Sequence, residues 1–249
     1  MEASRDRFLR ALSLLGFVGI WQAVAATGLF PRYFLPAPTD VAQELINETI
    51  SLRLVEYMYL TFVHYSTGLL IGISAGIFLG IIVGWYRVAE NLLEPIIEVL
   101  RPIPGLAWIP FVIIWFGITQ LAAAMIIAII TFFINFFSTY AGVKDVDRGL
   151  IEAALTLSER RGLWLLSKVV VPASSPHILA GVRISLGQGL MAVVASEMFG
   201  IQGLGFRMME AAGLLAMDVV VAYMAVLGFL YLSIDRMFKR IELTLLRWR

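Results

Sequence analysis

The sequence predicts an all-α, polytopic membrane protein with about six transmembrane helices in a single domain over residues 1–249. Composition is the first reason, because 60% of residues are hydrophobic, 15% are charged and the mean hydropathy is +0.87. A soluble domain is about half apolar and a quarter charged. Length is the second, because 249 residues accommodate about six apolar segments of about 20–25 residues. The absence of cysteine excludes disulfides and thiolate metal sites.

Six apolar segments are long enough to be read as membrane spans. The first is too long for the apolar core of a signal peptide, so we expect it to remain as a span. The third contains Pro102, Pro104 and Pro110, which we expect to break its helix. The predicted spans are Leu9–Leu29, Tyr57–Tyr86, Leu92–Phe116, Leu121–Val143, Pro176–Phe199 and Met217–Met237.

Between the first two spans, residues 30–56 predict an amphipathic helix on the outer side. Thr39 is the expected N-cap, and Val41, Leu45 and Ile46 are available for one face. Such a helix either lies on the bilayer surface or meets an external partner. A cysteine placed at Glu48 is expected to react from outside.

Small residues recur at helical spacing in the second and fifth spans. Residues this small let two helix backbones approach closely, which favours helix association in lipid. The pattern predicts close packing or, alternatively, helices that slide during a transport cycle. We expect Gly68, near the membrane surface, to tolerate alanine better than Gly76. The residues are Gly68, Gly72, Gly76, Gly80 and Gly84, then Gly181, Ser185 and Gly189.

The segment between the fourth and fifth spans, residues 144–175, is the longest polar loop within the bundle. Its centre reads EAALTLSERRGLWLLSKVVVP (Glu152–Pro172). In helical conformation it places apolar side chains on one face, and long loops are often functional. The loop is therefore predicted to contact a cytoplasmic partner through Val146, Leu150, Ala153, Ala154 and Leu157.

Orientation follows from the distribution of lysine and arginine. The side that holds the termini and the 144–175 loop carries 14 of these residues and the other side three, which predicts that both termini are cytoplasmic. The first group is Arg5, Arg7, Arg10, Arg87, Lys144, Arg148, Arg160, Arg161, Lys168, Arg236, Lys239, Arg240, Arg247 and Arg249, and the second is Arg32, Arg53 and Arg207. A cysteine at Arg161 is expected to react only from the cytoplasm.

Ionisable side chains within the predicted spans are candidates for a translocation path or gate, because burying them in lipid is costly. They are His64, Glu197 and Arg183. Glu197 has a structural alternative, in which it pairs with Arg207 or with backbone donors of the following turn GIQGLG. Two distant histidines predict no metal site. No phosphate-binding loop or hydrolase motif is present, so we expect no enzymatic activity in this chain.

Several segments together resemble the nitrate/sulfonate/taurine-type permeases of binding-protein-dependent ABC importers. They are FLPAPTDV (Phe34–Val41), LRPIPGLAWIPFVIIWFGI (Leu100–Ile118), EAALTLSERRGLWLLSKVVVP (Glu152–Pro172), AGVRISLGQGL (Ala180–Leu190) and SEMFGIQGLGF (Ser196–Phe206). The Glu152–Pro172 segment is similar to the EAA loop of that family. Ser158 occupies a position that is usually glycine, and the segment before Pro172 is one residue longer than usual.

The resemblance implies a type I ABC importer fold in a bacterial cytoplasmic (inner) membrane, with two permease copies around a central pathway. Two cytoplasmic ATPase subunits would bind ATP and Mg²⁺, and an external substrate-binding protein would deliver the solute. The implied ATPase-coupling residues are Glu152, Ala153, Ala154, Leu157 and Ser158.

The solute is not readable from this chain, since the family carries small anions and its relatives carry pyrimidine-type precursors. A secondary transporter or channel driven by an ion gradient is the alternative, and the scarcity of intramembrane carboxylates opposes it. An integral-membrane enzyme is a third class, opposed by the missing catalytic constellation.

Overall fold

The computed structural model describes residues 2–158 and 162–245, in which helices and connecting turns account for the whole fold and no β-strand occurs. The α-helices are α1 (Glu2–Ala26), α2 (Pro38–Ile50), α3 (Arg53–Trp85), α4 (Arg87–Leu100), α5 (Ile109–Phe116), α6 (Gln120–Lys144), α7 (Arg148–Ser158), α8 (Leu163–Leu165), α9 (Val171–Glu197), α10 (Leu204–Gly213) and α11 (Met217–Leu245). A 3₁₀ turn (Gly105–Trp108) precedes α5, and a π-helical segment (Leu166–Val170) joins α8 to α9.

Within the described residues, four helices are long and apolar enough to cross a membrane. They are Arg53–Trp85, Gln120–Lys144, Leu163–Glu197 and Met217–Thr244. These helices correspond to the second, fourth, fifth and sixth predicted spans, and the all-α membrane class is confirmed.

The third predicted span is a bent pair of helices rather than one rod. The axes of α4 and the Gly105–Phe116 segment meet at 90°. Pro102 and Pro104 lie in the break, as expected, whereas Pro110 lies in the first turn of α5. A proline there removes an N–H that has no intrahelical partner, so the expectation that Pro110 breaks the helix was wrong.

The first predicted span lies within α1, which runs from Glu2 to Ala26 over 25 residues. Its segment Leu12–Ala26 is an apolar helix of fewer than 18 residues. By length and composition, the described residues contain four helices able to cross a membrane, or five when the bent pair counts as one. A hydrogen bond from Trp21 Nε1 to the Pro36 carbonyl oxygen (3.0 Å) joins α1 to the residues just before α2.

The glycine stripe of α3 lies against α6. A methyl group built on Gly76 would be 2.6 Å from the Phe132 carbonyl oxygen, and one on Gly68 would be 2.6 Å from the Ala124 oxygen. Gly72, Gly80 and Gly84 make comparably close approaches to α6. Gly68 is therefore as restricted as Gly76, and the expectation that it would tolerate alanine better than Gly76 is wrong.

The order of these contacts gives the helix directions. Gly68 lies beside Ile127 and Gly84 beside Val143, so α3 and α6 run parallel. The α9 helix runs antiparallel to both, since its Gly181 contacts Ser138 and its Gly189 lies near Thr131. We call the end of the bundle at which α3 begins the Arg53 end, and the opposite one the Lys144 end. The α7 helix lies at the Lys144 end, and α2 and α10 lie at the Arg53 end.

Candidate functional sites

The predicted partner-binding loop forms the short helix α7 (Arg148–Ser158). Asp147 Oδ1 accepts a hydrogen bond from the Gly149 amide (2.6 Å), which satisfies one of the N–H groups left free at a helix start. Ser158 is the last residue of α7. Glu159, Arg160 and Arg161 lie outside the described residues, so the expected cytoplasmic labelling of position 161 stays a prediction.

One face of α7 is apolar and exposed. Leu157 is 88% exposed and Leu150 46% exposed. With Ala153 and Ala154 they line a shallow groove of about 550 Å³, closed on its other side by Lys168, Val169, Pro172 and Ala173. An apolar surface that remains this open in the single chain is typical of a binding surface.

A neighbouring face of α7 is fixed to the bundle. Ile151 packs against the buried cluster of Val143, Leu166 and Val170. Val146 packs there as well and precedes the helix, so its predicted place on the exposed stripe was wrong. Glu152 is exposed on α7 next to the groove.

Glu197 is fully buried in a polar network at the Arg53 end. Its Oε2 accepts hydrogen bonds from Thr61 Oγ1 (3.0 Å) and the Gly205 amide (2.9 Å), and its Oε1 lies 3.1 Å from His64 Nδ1. Three donors around one carboxyl group are the arrangement that stabilises a buried carboxylate. The structure thus brings together two of the three predicted pathway residues.

The turn after Glu197 is shaped around this carboxylate. The amides of Leu204 and Gly205 have no partner within the helix, because they lie at the start of α10. The Leu204 amide donates to Thr61 Oγ1 (2.8 Å), and the Gly205 amide donates to Glu197. A side chain at Gly203 would occupy the position of the Glu197 carboxyl group. The predicted pairing with backbone donors of GIQGLG is therefore present, and the alternative pairing with Arg207 is not.

Arg183, the third predicted pathway residue, lies elsewhere. Its Nε is 3.0 Å from Asp235 Oδ1, and its Nη1 is 3.9 Å from Glu242. Arg183 and Glu197 are 14 residues apart on one helix, a separation of about 21 Å. Among residues 2–158 and 162–245, no group of three or more histidine, aspartate or glutamate side chains could hold a metal ion.

A second polar network fixes helix α2 to the bundle. Glu48, only 4% exposed, accepts hydrogen bonds from Arg207 Nη2 (2.6 Å) and the Tyr223 hydroxyl (2.8 Å). Arg207 Nη1 also contacts Glu210 (2.9 Å). Burial raises the pKa of the Glu48 carboxyl group, but the hydrogen bonds from Arg207 and Tyr223 outweigh it, so that pKa lies below its ordinary value. The hydrogen bond to Glu48 raises the pKa of Arg207.

This network was not predicted, although the sequence contains a signal for it. Glu48 falls on the same helical face as Val41 and Leu45, which pack inward. A single carboxylate on an apolar face indicates a buried partner. The expectation that a cysteine at position 48 would react from outside is contradicted by its burial. Thr39 is not the N-cap either, because α2 begins with Pro38 after Ala37.

The fold and these sites define a multi-pass helical membrane protein that presents an apolar-faced helix at one end of its bundle. The chain belongs to the family described as the binding-protein-dependent transport system inner membrane component, whose family model matches residues 72–245. An ABC transporter permease protein of Methanocaldococcus jannaschii is 43% identical over 74% of this chain and 69% of its own length. The taurine transport system permease protein of Escherichia coli is 32% identical over 98% of this chain and 91% of its own length.

A solved structure has the same fold. A chain of the MetNI methionine ABC transporter in an inward-facing conformation superposes with a TM-score of 0.65 and 21% identity, over 80% of this chain and 98% of its own. The resemblance recognised in the sequence is confirmed. The chain is the membrane-spanning permease subunit of an ABC importer for a small solute.

Proposed function

We propose that α7 is the helix through which a separate cytoplasmic ATPase subunit drives this permease, and that the imported solute is a small sulfonate. The exposed apolar groove of α7 is the observation that supports the docking role. Complete burial of a leucine side chain stabilises a contact by about 1.5–3 kcal/mol, and Leu157 leaves most of that contribution for a partner. The small side chains of Ala153 and Ala154 allow a partner to approach the helix closely, and Glu152 is placed to pair with a cation.

Docking at α7 requires the Lys144 end to face the cytoplasm. The excess of lysine and arginine in the segments that lead to this end supports that orientation. In the proposed assembly two copies of this chain surround the pathway, and two ATPase subunits bind ATP and Mg²⁺. An external binding protein delivers the solute to the Arg53 end.

The sulfonate assignment is supported by the taurine permease, whose likeness extends over nearly the whole of both chains. Taurine is an aminosulfonate. Competition between solutes for uptake tests the sulfonate assignment directly. In cells that express the complete transporter, unlabelled methanesulfonate should inhibit uptake of radiolabelled taurine, whereas methionine should not. Inhibition by methionine alone would refute the sulfonate assignment.

Cysteine crosslinking tests the docking assignment, because the chain has no native cysteine. A Leu157→Cys permease labelled with a maleimide that carries a benzophenone should crosslink to its ATPase on irradiation. The matched control is Ala42→Cys, at an exposed position on α2 at the Arg53 end, which should give no such product. An ATPase crosslink from position 42 and none from position 157 would reverse the proposed orientation and remove the docking role from α7.

A further inference from the structure

A polar cavity of about 360 Å³ lies at the Arg53 end, a volume within the range of small-molecule sites. The α3 helix forms one wall, the junction of α5 and α6 another, and the turn between α9 and α10 the third. His64, Thr119, Gln120 and Gln202 supply its polar lining, and Ile118 and Ile201 are among its apolar residues. It is separate from the α7 groove at the opposite end of the bundle.

His64 is the buried member of this lining. Its side chain is 1% exposed, and its Nδ1 is occupied by Glu197. Its Nε2 is buried without a hydrogen-bond partner in the part of the chain that the structure describes. A buried polar atom without a partner is destabilising, and Nε2 lies across the ring from the Glu197 contact. The imidazole therefore has one nitrogen left for an occupant of the cavity.

The surrounding hydrogen bonds determine what this nitrogen can offer. Glu197 already accepts from Thr61 and Gly205, and a hydrogen on His64 Nδ1 would complete its third contact. In that tautomer Nε2 carries a lone pair, and only a ring with hydrogens on both nitrogens donates from Nε2. An acceptor-rich ligand on Nε2 therefore requires the ring with both hydrogens, whose charge Glu197 would balance.

The remaining polar groups extend the set of donors. The side-chain amides of Gln120 and Gln202 have no hydrogen bond with any described residue and are free to donate. The Thr119 hydroxyl is already engaged, since it donates to the Phe116 carbonyl oxygen (3.0 Å) and accepts from the Ala122 amide (3.3 Å). An imidazole with hydrogens on both nitrogens, together with two amides, would suit a compact anion with several oxygen acceptors.

We propose that this cavity is a binding subsite for a small oxyanion, with His64 Nε2–H as its charged contact and Glu197 as the positioning residue. The inference rests on the proposed function, which makes the Arg53 end the external one and the solute an anion. A sulfonate, sulfate or nitrate would satisfy the same donors, and the titration described next distinguishes these anions.

The two histidines of the chain, His64 and His177, make the site visible by nitrogen NMR. The sample is the ¹⁵N-histidine-labelled permease in its complex with the ATPase in lipid nanodiscs. It is titrated at constant ionic strength with methanesulfonate, sulfate, nitrate or chloride. A site with a Kd of about 1 mM is about 90% occupied at ~10 mM. At that concentration an oxyanion should move both His64 nitrogen signals toward those of a doubly protonated ring.

His177 is the internal control, because it lies at the Lys144 end near Asp145 and its signals should stay unchanged. A response to methanesulfonate alone identifies a sulfonate site, and equal responses to all three oxyanions identify a general oxyanion site. Unchanged His64 signals with every anion, or an equal response to chloride, would overturn the proposal.

Gln202→Leu gives a second measurement on a variant whose altered side chain is exposed. Loss of one hydrogen bond to an anion should weaken binding about tenfold. An unchanged Kd in this variant would show that the anion does not sit in the cavity. Crosslinking of the ATPase to Leu157→Cys is independent of this result, so failure of the subsite would leave the docking assignment intact.

Discussion

Ala154→Arg places a charged, bulky side chain in the α7 groove. Ala154 is half-buried and lines the groove together with Leu157. An arginine here occupies the space that a partner needs and brings an unpaired charge into a contact from which water is excluded. The bundle itself should be unaffected, because Ile151 on a neighbouring face of α7 still packs against the buried cluster.

The expected loss follows from the contact that is blocked. Disruption of a central residue at a protein interface costs about 2–4 kcal/mol, or about 30- to 900-fold in affinity. The assay measures permease abundance in the membrane, ATPase copurification with the tagged permease, and solute uptake. We expect normal abundance, loss of the ATPase and no uptake.

Thr156→Arg is the matched control, since it introduces the same side chain two residues further along α7. Two residues rotate the position by about 200°, and Thr156 is exposed and lies outside the groove lining. This variant should keep its ATPase. The assignment fails if Ala154→Arg retains both the ATPase and transport, or if the two variants lose the ATPase equally.

Three further predictions concern packing, electrostatics and topology. Gly76→Leu should destabilise the bundle by at least about 1–3 kcal/mol and lower the yield of complex, because even a methyl group clashes with α6. Gly19→Leu, where a methyl group meets nothing within 4 Å, should be tolerated. Glu48→Gln should lower the free energy of unfolding by about 2 kcal/mol at pH 7. Because the pKa of Glu48 is lowered in the fold, its contribution is fully present above the ordinary carboxyl pKa and is lost as the pH falls through the lowered value, so the two proteins should converge on strong acidification. An impermeant maleimide added to intact cells should label Ala42→Cys but not Arg87→Cys, since both positions are exposed at opposite ends of the bundle.

A different result would contradict each of these three predictions. Normal assembly of Gly76→Leu would mean that α3 and α6 are not in close contact. A stability difference for Glu48→Gln that persists unchanged on strong acidification would assign the effect to packing rather than charge. External labelling at position 87 would invert the proposed topology.

The sequence was informative wherever a structural property depends on neighbours along the chain. Apolar runs predicted α3, α6, α9 and α11, because crossing a bilayer requires length and hydrophobicity within one segment. Glycine at every fourth position indicated the close packing face of α3. The prolines predicted a break between α4 and the Gly105–Phe116 segment, but hydropathy carries no information on helix direction, so the 90° angle could not be predicted.

The pairs that build the buried networks are distant along the chain. His64 and Glu197 are separated by 133 residues and Glu48 and Arg207 by 159. A single sequence indicates that a buried carboxylate needs a partner, but the topology decides which donor reaches it. The expectation for Glu197 succeeded where the donor was local, at Gly205, and failed for Arg207, which the path of α2 brings to Glu48 instead.

Both polar networks hold α10 at the Arg53 end of the bundle, so the two ends of the bundle differ. Glu197 of α9 and Thr61 of α3 hold the first amides of α10, and Glu48 of α2 holds Arg207 further along it. These contacts are buried or, at Arg207, partly buried, so separating the helices there would leave charged or polar groups without partners. At the Lys144 end, α7 offers an apolar groove that is still open to a partner. In the proposed assembly, a force applied at α7 would pass along the helix Leu163–Glu197 to the Arg53 end, where these contacts hold α2, α3, α9 and α10 together.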